Sequence, residues 1–416
     1  MSLIENIISL IGDFISSFWW VFILVFLLFI FFDIRRVYKN QKKKREIEWS
    51  LLRIIPPKEV KKSPKAMEQL FVSVDEISDG WASFEIVGRA GKTNFYIRIP
   101  KDYRNLIESA IYAQYPDAEI NLVPDEEDYV SQFSSSTLPN EVYDIWGTEL
   151  ILGREDGYPI RTYLNFQESG RQDEEQIIDP IASNTEIMSR LERSEAIWLQ
   201  ILVKPADNKK WIKEAEELIK KLMGGEEKKE GTIIFDWINP WVHAVGEFIE
   251  NLMWAIFRHP MWGEEGEQKK KEEGKKDLTP GKRKIIDAIE EKISKVGFHT
   301  VIRFVYVDRR DMFTKSNIAG VTGAIRQFNT NHLNVFTENK KAKTKTGGLF
   351  KDKRLESRKK WIFSNYTVRD FPKKSSILNT EELATIYHFP TTGVKSPFLR
   401  RVLSKRGGPP PDLPIQ

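Results

Sequence analysis

Residues Phe14–Phe32, FISSFWWVFILVFLLFIFF, carry no charge and are bounded by Asp13 and Asp33. A run this apolar leaves a chain few places to put it. Nineteen residues of helix rise about 28 Å, close to the roughly 30 Å hydrocarbon thickness of a bilayer. Residues 18–32 hold thirteen Phe, Leu, Ile and Val. Together these favour insertion by roughly 4–8 kcal/mol, which outweighs the two serines. A core helix seldom has so many consecutive large apolar side chains. A cleaved signal peptide would need Lys or Arg before the run and small residues after it. Residues 1–13 contain neither Lys nor Arg, and Phe31-Phe32-Asp33 is a poor cleavage site. The run therefore predicts a single transmembrane helix over 14–32, with Trp19 and Trp20 near the outer interface.

Flanking charge sets the orientation. Arg35, Arg36, Lys39, Lys42, Lys43, Lys44 and Arg45 follow the run. The positive-inside rule puts that side in the cytoplasm. The expectation is a single-pass protein of the cell (inner) membrane, with 1–13 outside and the bulk cytoplasmic. The basic juxtamembrane segment, 33–48, is expected to hold anionic head groups of the lipid bilayer at up to about 1 kcal/mol per residue.

The remaining length suffices for two domains with their own cores. In 49–124 the apolar spacing reads β-α-β-β-α-β. Trp49–Ile55 is a strand, ended by Pro56-Pro57. Met67, Leu70, Phe71 and Val74 recur at helical spacing after Ser63-Pro64. Ala82, Phe84 and Ile86 alternate, as do Phe95, Ile97 and Ile99, around a short turn at 89–92. Tyr103, Leu106, Ile107, Ala110 and Ile111 mark a second helix, and Ala118, Ile120 and Leu122 a last strand. The predicted class is α+β, with ferredoxin-like (βαββαβ) α/β sandwich domains. Residues 125–140, acidic and then Ser-rich, read as a linker. Residues 141–336 read as a second α/β sandwich, with strands at 142–152, 158–166, 197–203 and 301–307.

An interruption at 226–280 splits that second unit. Its edges, EEKKEGT and EEGEQKKKEEGKKD, are charged, and its middle is Trp-rich. Trp241, Val245, Phe248, Leu252 and Ile256 fall on one face of an amphipathic helix. Two readings stay open: a helix packed on the second domain, or one that contacts the membrane interface or a partner. Residues 337–378 read as a basic loop region. Within it, 340–360 carries ten Lys or Arg against two acids. A solvated loop is the plain reading. Nucleic-acid or lipid contact through Lys340, Lys341, Lys343, Lys345, Arg358, Lys359 and Lys360 is the other. Residues 379–416 read as a short helix, with Asn379 and Glu382 spaced as a cap pair, and a Pro-rich tail.

Signatures of catalysis do not emerge. The chain has no cysteine, which excludes disulfides, thiolate nucleophiles and Cys-ligated metals. Gly91-Lys92-Thr93 ends like a phosphate-binding loop, but the required first glycine falls on Ile86. That tripeptide also sits in a hairpin turn rather than ahead of a helix, where phosphates bind. None of the histidines, His243, His259, His299, His332 and His388, stands at metal-site spacing. No enzyme activity, cofactor or metal is expected.

Two blocks carry a resemblance: SPKAMEQLFVSV…FYIRIPKDYRNLIESAIYAQYPDAEI over 63–120 and LNTEELATIYHFPTTGVKSPFLRRVLSKRGGPPPDLP over 378–414. Between them lie GFHTVIRFVYV and AIRQFN. These resemble the membrane-associated, non-motor region of bacterial conjugation and type IV secretion ATPases of the HerA–FtsK class. In that class a RecA-like motor would follow the Pro-rich stretch, whereas this sequence stops at Gln416. The resemblance implies a non-enzymatic membrane-anchored scaffold that docks a separately encoded ATPase. The alternative is a membrane-tethered nucleic-acid-binding protein.

Overall fold

The computed structural model describes Leu28 and Phe31 and residues 47–131, 138–166, 179–224, 278–347 and 350–391. The chain is α+β, built on one nine-stranded antiparallel sheet. The first half contains β1 (Trp49–Ile55), α1 (Lys65–Val74), β2 (Ala82–Arg89), β3 (Lys92–Pro100), α2 (Arg104–Gln114) and β4 (Glu119–Val123). Its strands lie in the order β4-β1-β3-β2. The second half contains β5 (Tyr143–Leu152), α3 (Ala182–Ser189), β6 (Ala196–Pro205), α4 (Asn208–Leu222), α5 (Pro280–Ile293), β7 (Gly297–Arg309), α6 (Lys315–Arg326) and β8 (Phe336–Glu338). Its strands, read from the far edge inward, lie in the order β8-β5-β7-β6. Both halves thus place their strands fourth, first, third, second. The pair α4 and α5 is inserted between the second and third strands of the second half.

The halves join edge to edge. β2 pairs with β6 in antiparallel register from Ala82↔Val203 to Arg89↔Ala196. Both strands are almost wholly buried, so neither could stand as a solvent-facing edge without exposing unpaired backbone. The β2–β3 connection is the two-residue turn Ala90-Gly91, with φ of +49° and +75°. Both values are left-handed, as the hairpin turn matched to strand twist requires, which is why a glycine stands there. Gly88 is equally constrained. A Cβ there would lie 2.5 Å from Met188 of α3, so the missing side chain lets that helix sit on the seam.

One continuous core covers one sheet face across both halves, drawing on α1, α2, α3 and α6. The segment after β8 completes it. Following α7 (Lys351–Thr367), β9 (Ser376–Asn379) pairs with β7, and α8 (Thr380–Ile386) follows directly. Residues 377–390 are buried throughout. Asn379 accepts from the Glu382 N–H, while the Glu382 carboxylate accepts from the Asn379 N–H. This capping box satisfies two of the helix's orphan donors. Tyr387 then meets Phe84 and Phe95 edge-on at 5.0 and 5.9 Å, and Phe389 meets Phe95 and Tyr115. The C-terminal block therefore begins on the second half and ends packed into the first.

The structure departs from the sequence reading at three places. Residues 125–140, expected as a linker, place Tyr129, Val130 and Leu138 in the apolar cluster on the opposite sheet face. Residues 158–166, expected as a strand, end in a short 3-10 turn (Tyr163–Phe166). Their backbone is satisfied elsewhere: the Ile160 N–H donates to the Glu382 carboxylate, and the Tyr163 N–H to the Thr385 hydroxyl. The region 337–378, expected as a basic loop, contains α7. Ile362, Phe363 and Tyr366 form its buried stripe, spaced as one face of a helix. The segments 33–46 and 226–277 lie outside the described residues. So does 14–32 apart from Leu28 and Phe31, which are helical. No helix of the described residues is long and apolar enough to cross a membrane.

If the C-terminal block ties the halves together, Tyr387→Ala should lower the unfolding free energy of the purified chain by about 3–5 kcal/mol. Val368→Ala, at a side chain 62% exposed, should change it by less than about 0.5 kcal/mol. Denaturant titration checks both.

Candidate functional site

Polar side chains cross the sheet in one registered row. Arg53 lies opposite Tyr96, Tyr96 opposite Glu85, Glu85 opposite Gln200, Gln200 opposite Arg303, and Arg303 opposite Glu149. Directly paired residues of antiparallel strands point to the same face. This row therefore lies on the face covered by α7. Gln200 Nε2 donates to Glu85 Oε1 at 3.3 Å, which bridges the β2–β6 seam. Arg303 donates from Nε to Glu149 at 3.0 Å and from Nη1 to Gln200 Oε1 at 3.2 Å.

Arg369 closes the row. It grips Glu85 with Nε at 2.6 Å and Nη2 at 3.0 Å, and donates to Asp128 from Nη1 at 2.7 Å. Tyr129 adds a hydroxyl donor to Glu85 at 2.8 Å. Burial pushes the Glu85 carboxyl up, but Arg369, Ser83 and Tyr129 together outweigh it and hold the group below its ordinary range. The geometry that delivers Arg369 is unusual. It occupies the left-handed position after α7, at φ +55°, where glycine is the common residue. The Asp370 N–H donates to the Asn365 carbonyl and the Arg369 N–H to the Tyr366 carbonyl, the pairing of a Schellman helix end. A side chain there costs roughly 1–2 kcal/mol, less than the roughly 3–5 kcal/mol for stranding a buried partner charge.

A second buried network anchors the C-terminal block on the other face. Lys292 of α5 pairs with Glu382 at 3.0 Å, both side chains fully buried. Burial raises the Glu382 carboxyl in spite of Lys292. Lys295 reaches both Glu381 and Glu68. His388 sets Nε2 on Asp179 at 2.8 Å and Nδ1 on the Ala384 carbonyl at 2.8 Å. Asp179 also accepts from the N–H groups of Ile181 and Thr391. Burial alone would raise the Asp179 carboxyl. His388 and the two amides overcome this and bring it down to about 2.

A cleft of about 880 Å³ lies against the outer side of β5, between α6 and the segment 343–346. Its floor is apolar: Trp146, Leu150, Phe304, Phe313, Ile325 and Phe336. Lys315, Arg326, Lys343, Lys345 and Lys359 line it, with Asp144 and Glu338 as its acids. Lys343 pairs with Glu338, and Lys359 with Asp144 at 2.6 Å.

Three cations of the basic run thus meet at the cleft: Lys343, Lys345 and Lys359. Arg358 instead donates to the Lys343 and Lys345 carbonyls and holds that segment in place. Lys360 pairs with Glu356 on α7, and Lys340 and Lys341 are exposed in the turn after β8. Trp19, Trp20, Arg35, Arg36, Lys39, Lys42, Lys43, Lys44 and Arg45 lie outside the described residues, as do Trp241, Val245, Phe248, Leu252 and Ile256. Sequence reading missed Lys315 and Arg326. Their signal was the spacing Lys315, Ile318, Ala319, Thr322, Ile325, Arg326, which is one face of a helix.

Substitutions at two residues test the networks. Arg369→Ala should cost about 3–5 kcal/mol of stability. Arg369→Gly should be milder by about 1 kcal/mol, because glycine accepts the left-handed backbone without penalty. Asp179 ionises at about 2 in the fold and at about 3.9 when unfolded. Its contribution, roughly 2–3 kcal/mol, is therefore complete above pH ~4 and lost as pH falls toward 2. Asp179→Asn should lose less stability than the parent chain between pH 5 and pH 2, as measured by denaturant unfolding at each pH.

No curated protein matches the chain. The family described as a domain of unknown function, DUF8128, matches residues 35–399, which spans both halves of the sheet, the cleft and the buried C-terminal block. The chain belongs to the DUF8128 family.

Proposed function

We propose that this protein is a non-enzymatic, membrane-anchored docking module. In this reading 14–32 is a transmembrane helix, 33–48 lies on the anionic inner leaflet, and the α+β body is held beneath it in the cytoplasm. The carrying observation is the uncharged run Phe14–Phe32 followed at once by seven Lys or Arg within 35–45. The body's architecture is compatible with two ferredoxin-like motifs fused through their second strands, a fold that hosts many functions and names none. The character of its polar groups supports docking. Glu85, Glu149, Asp179 and Glu382 are each engaged in a structural ion pair, while the open cleft offers apolar surface and cations. Following the resemblance of 63–120 and 378–414, the partner is a separately encoded ATPase of a type IV secretion or conjugative DNA-transfer-like machine.

A second reading, nucleic-acid binding by 340–360, has a specific observation behind it: Lys340, Lys341, Lys351 and Lys353 are exposed close together in sequence. Lys343, Lys359 and Lys360 already hold acidic partners, which leaves fewer charges for phosphates.

Fractionation and protease protection test the anchor. The intact chain should sediment with membranes and resist alkaline carbonate. Protease added outside sealed cells should leave the body whole. Recovery in the aqueous supernatant, or digestion of the body from outside, would sink the reading. For the second reading, a steep fall in DNA affinity with salt, lost in a Lys340→Glu/Lys341→Glu chain, is the expected signature.

A further inference from the structure

The cleft beside β5 is built for a particular chemistry. Its volume, about 880 Å³, lies within the roughly 300–1,000 Å³ typical of small-molecule sites. Of its five cations, Lys343 and Lys359 are neutralised by Glu338 and Asp144. That leaves Lys315, Arg326 and Lys345 without an acidic partner among the described residues. The cleft is therefore an apolar trough edged by uncompensated positive charge.

Its hydroxyls narrow the choice further. Five threonines line the cleft, and each spends its proton on a backbone carbonyl. Thr148 donates to Glu149, Thr322 to Ile318, Thr337 to Ile151, Thr344 to Gly147 and Thr346 to Lys351. A site that reads a nucleobase or a peptide backbone needs directed donors in its interior. Here the threonine donors are turned into the protein, and the trough is lined by hydrocarbon, aromatic rings and cations, with the carboxylates of Glu338 and Asp144 already paired to Lys343 and Lys359.

We propose that this cleft binds one molecule of a single-chain anionic lipid, with the acyl chain along Trp146, Phe304, Phe313 and Phe336 and the anionic head among Lys315, Arg326 and Lys345. The cleft includes no residue of the apolar run at 14–32.

The test uses the full chain in phosphatidylcholine nanodiscs and radiolabelled oleate, with empty nanodiscs as the background. Oleate should bind saturably at one per chain. Oleyl alcohol, which lacks the charge, should bind at least tenfold more weakly, and millimolar inorganic phosphate, which lacks the chain, should not compete. Ala319→Trp, at an exposed residue of α6 facing the cleft, should abolish binding by filling the trough. Lys315→Glu/Lys345→Glu, two exposed positions, should weaken it at least tenfold, with the thermal unfolding midpoint unchanged. Binding that does not saturate, that both variants retain, that oleyl alcohol matches, or that phosphate or polyglutamate displaces would overturn the proposal.

Discussion

Two apolar strands that cannot face water organise this protein. β2, ASFEIVGR, and β6, AIWLQILVKP, are buried along nearly their whole length. In a four-stranded unit ordered fourth, first, third, second, each would be the exposed edge. An edge of that composition invites pairing with whatever strand is at hand. Setting the two edges against each other removes the hazard, and it makes one sheet and one core from two half-sheets. The row Glu85–Gln200–Arg303–Glu149 fixes how they meet. Slipping β6 by one residue against β2 would turn Gln200 to the opposite face, among Phe84 and Tyr387. The cost of burying such a group without a partner specifies the register more sharply than apolar packing does.

Arg369 and the C-terminal block act on the same seam from opposite faces. Arg369 arrives from the end of α7 and satisfies Glu85, while its own carbonyl accepts from Trp81 Nε1 at 3.0 Å. Trp81 in turn packs at 5.0 Å against the tilted ring of Trp49, the first residue of β1, and Arg98 lies 4.2 Å over the Trp49 ring. The place where the chain enters the fold is thus connected through two residues to the centre of the sheet. On the other face, Lys292–Glu382 and His388–Asp179 pin the stretch that carries Tyr387 across the seam. Both networks join charges far apart in sequence: the first ties Arg369 to Glu85 of the first half, and the second ties the C-terminal block to Asp179 and Lys292 of the second.

The periodic signals in the sequence carried over well where burial was one-sided. The spacing of Met67, Leu70, Phe71 and Val74 reads as a helix and is one, and the alternations around Ala90-Gly91 read as a hairpin and are one. Asn379 and Glu382 form the cap their spacing suggests. Reading failed where tertiary partners decided the outcome. Tyr158–Phe166 has strand-like composition, but side chains of α8 take the amides of Ile160 and Tyr163. The α7 segment looked like a charged loop because its buried stripe, Ile362, Phe363 and Tyr366, is short beside the basic residues around it. The polar row was hidden for a different reason. Glu85, Gln200 and Arg303 each sit singly between apolar neighbours, where strand alternation assigns them to a solvated face. Nothing local reveals that α7 covers that face. Of the cleft, the cations of the basic run were visible, but their meeting with the α6 face depended on the fold.

Amide hydrogen exchange across the β2–β6 seam, followed in the purified full chain, tests the central claim most directly. If the halves form one cooperative body, the paired amides of β2 and β6 should exchange only through global unfolding, with the same free energy as those of β3 and β7. Seam amides that exchange far more readily, while β3 and β7 stay protected, would show two separately stable halves and contradict the account.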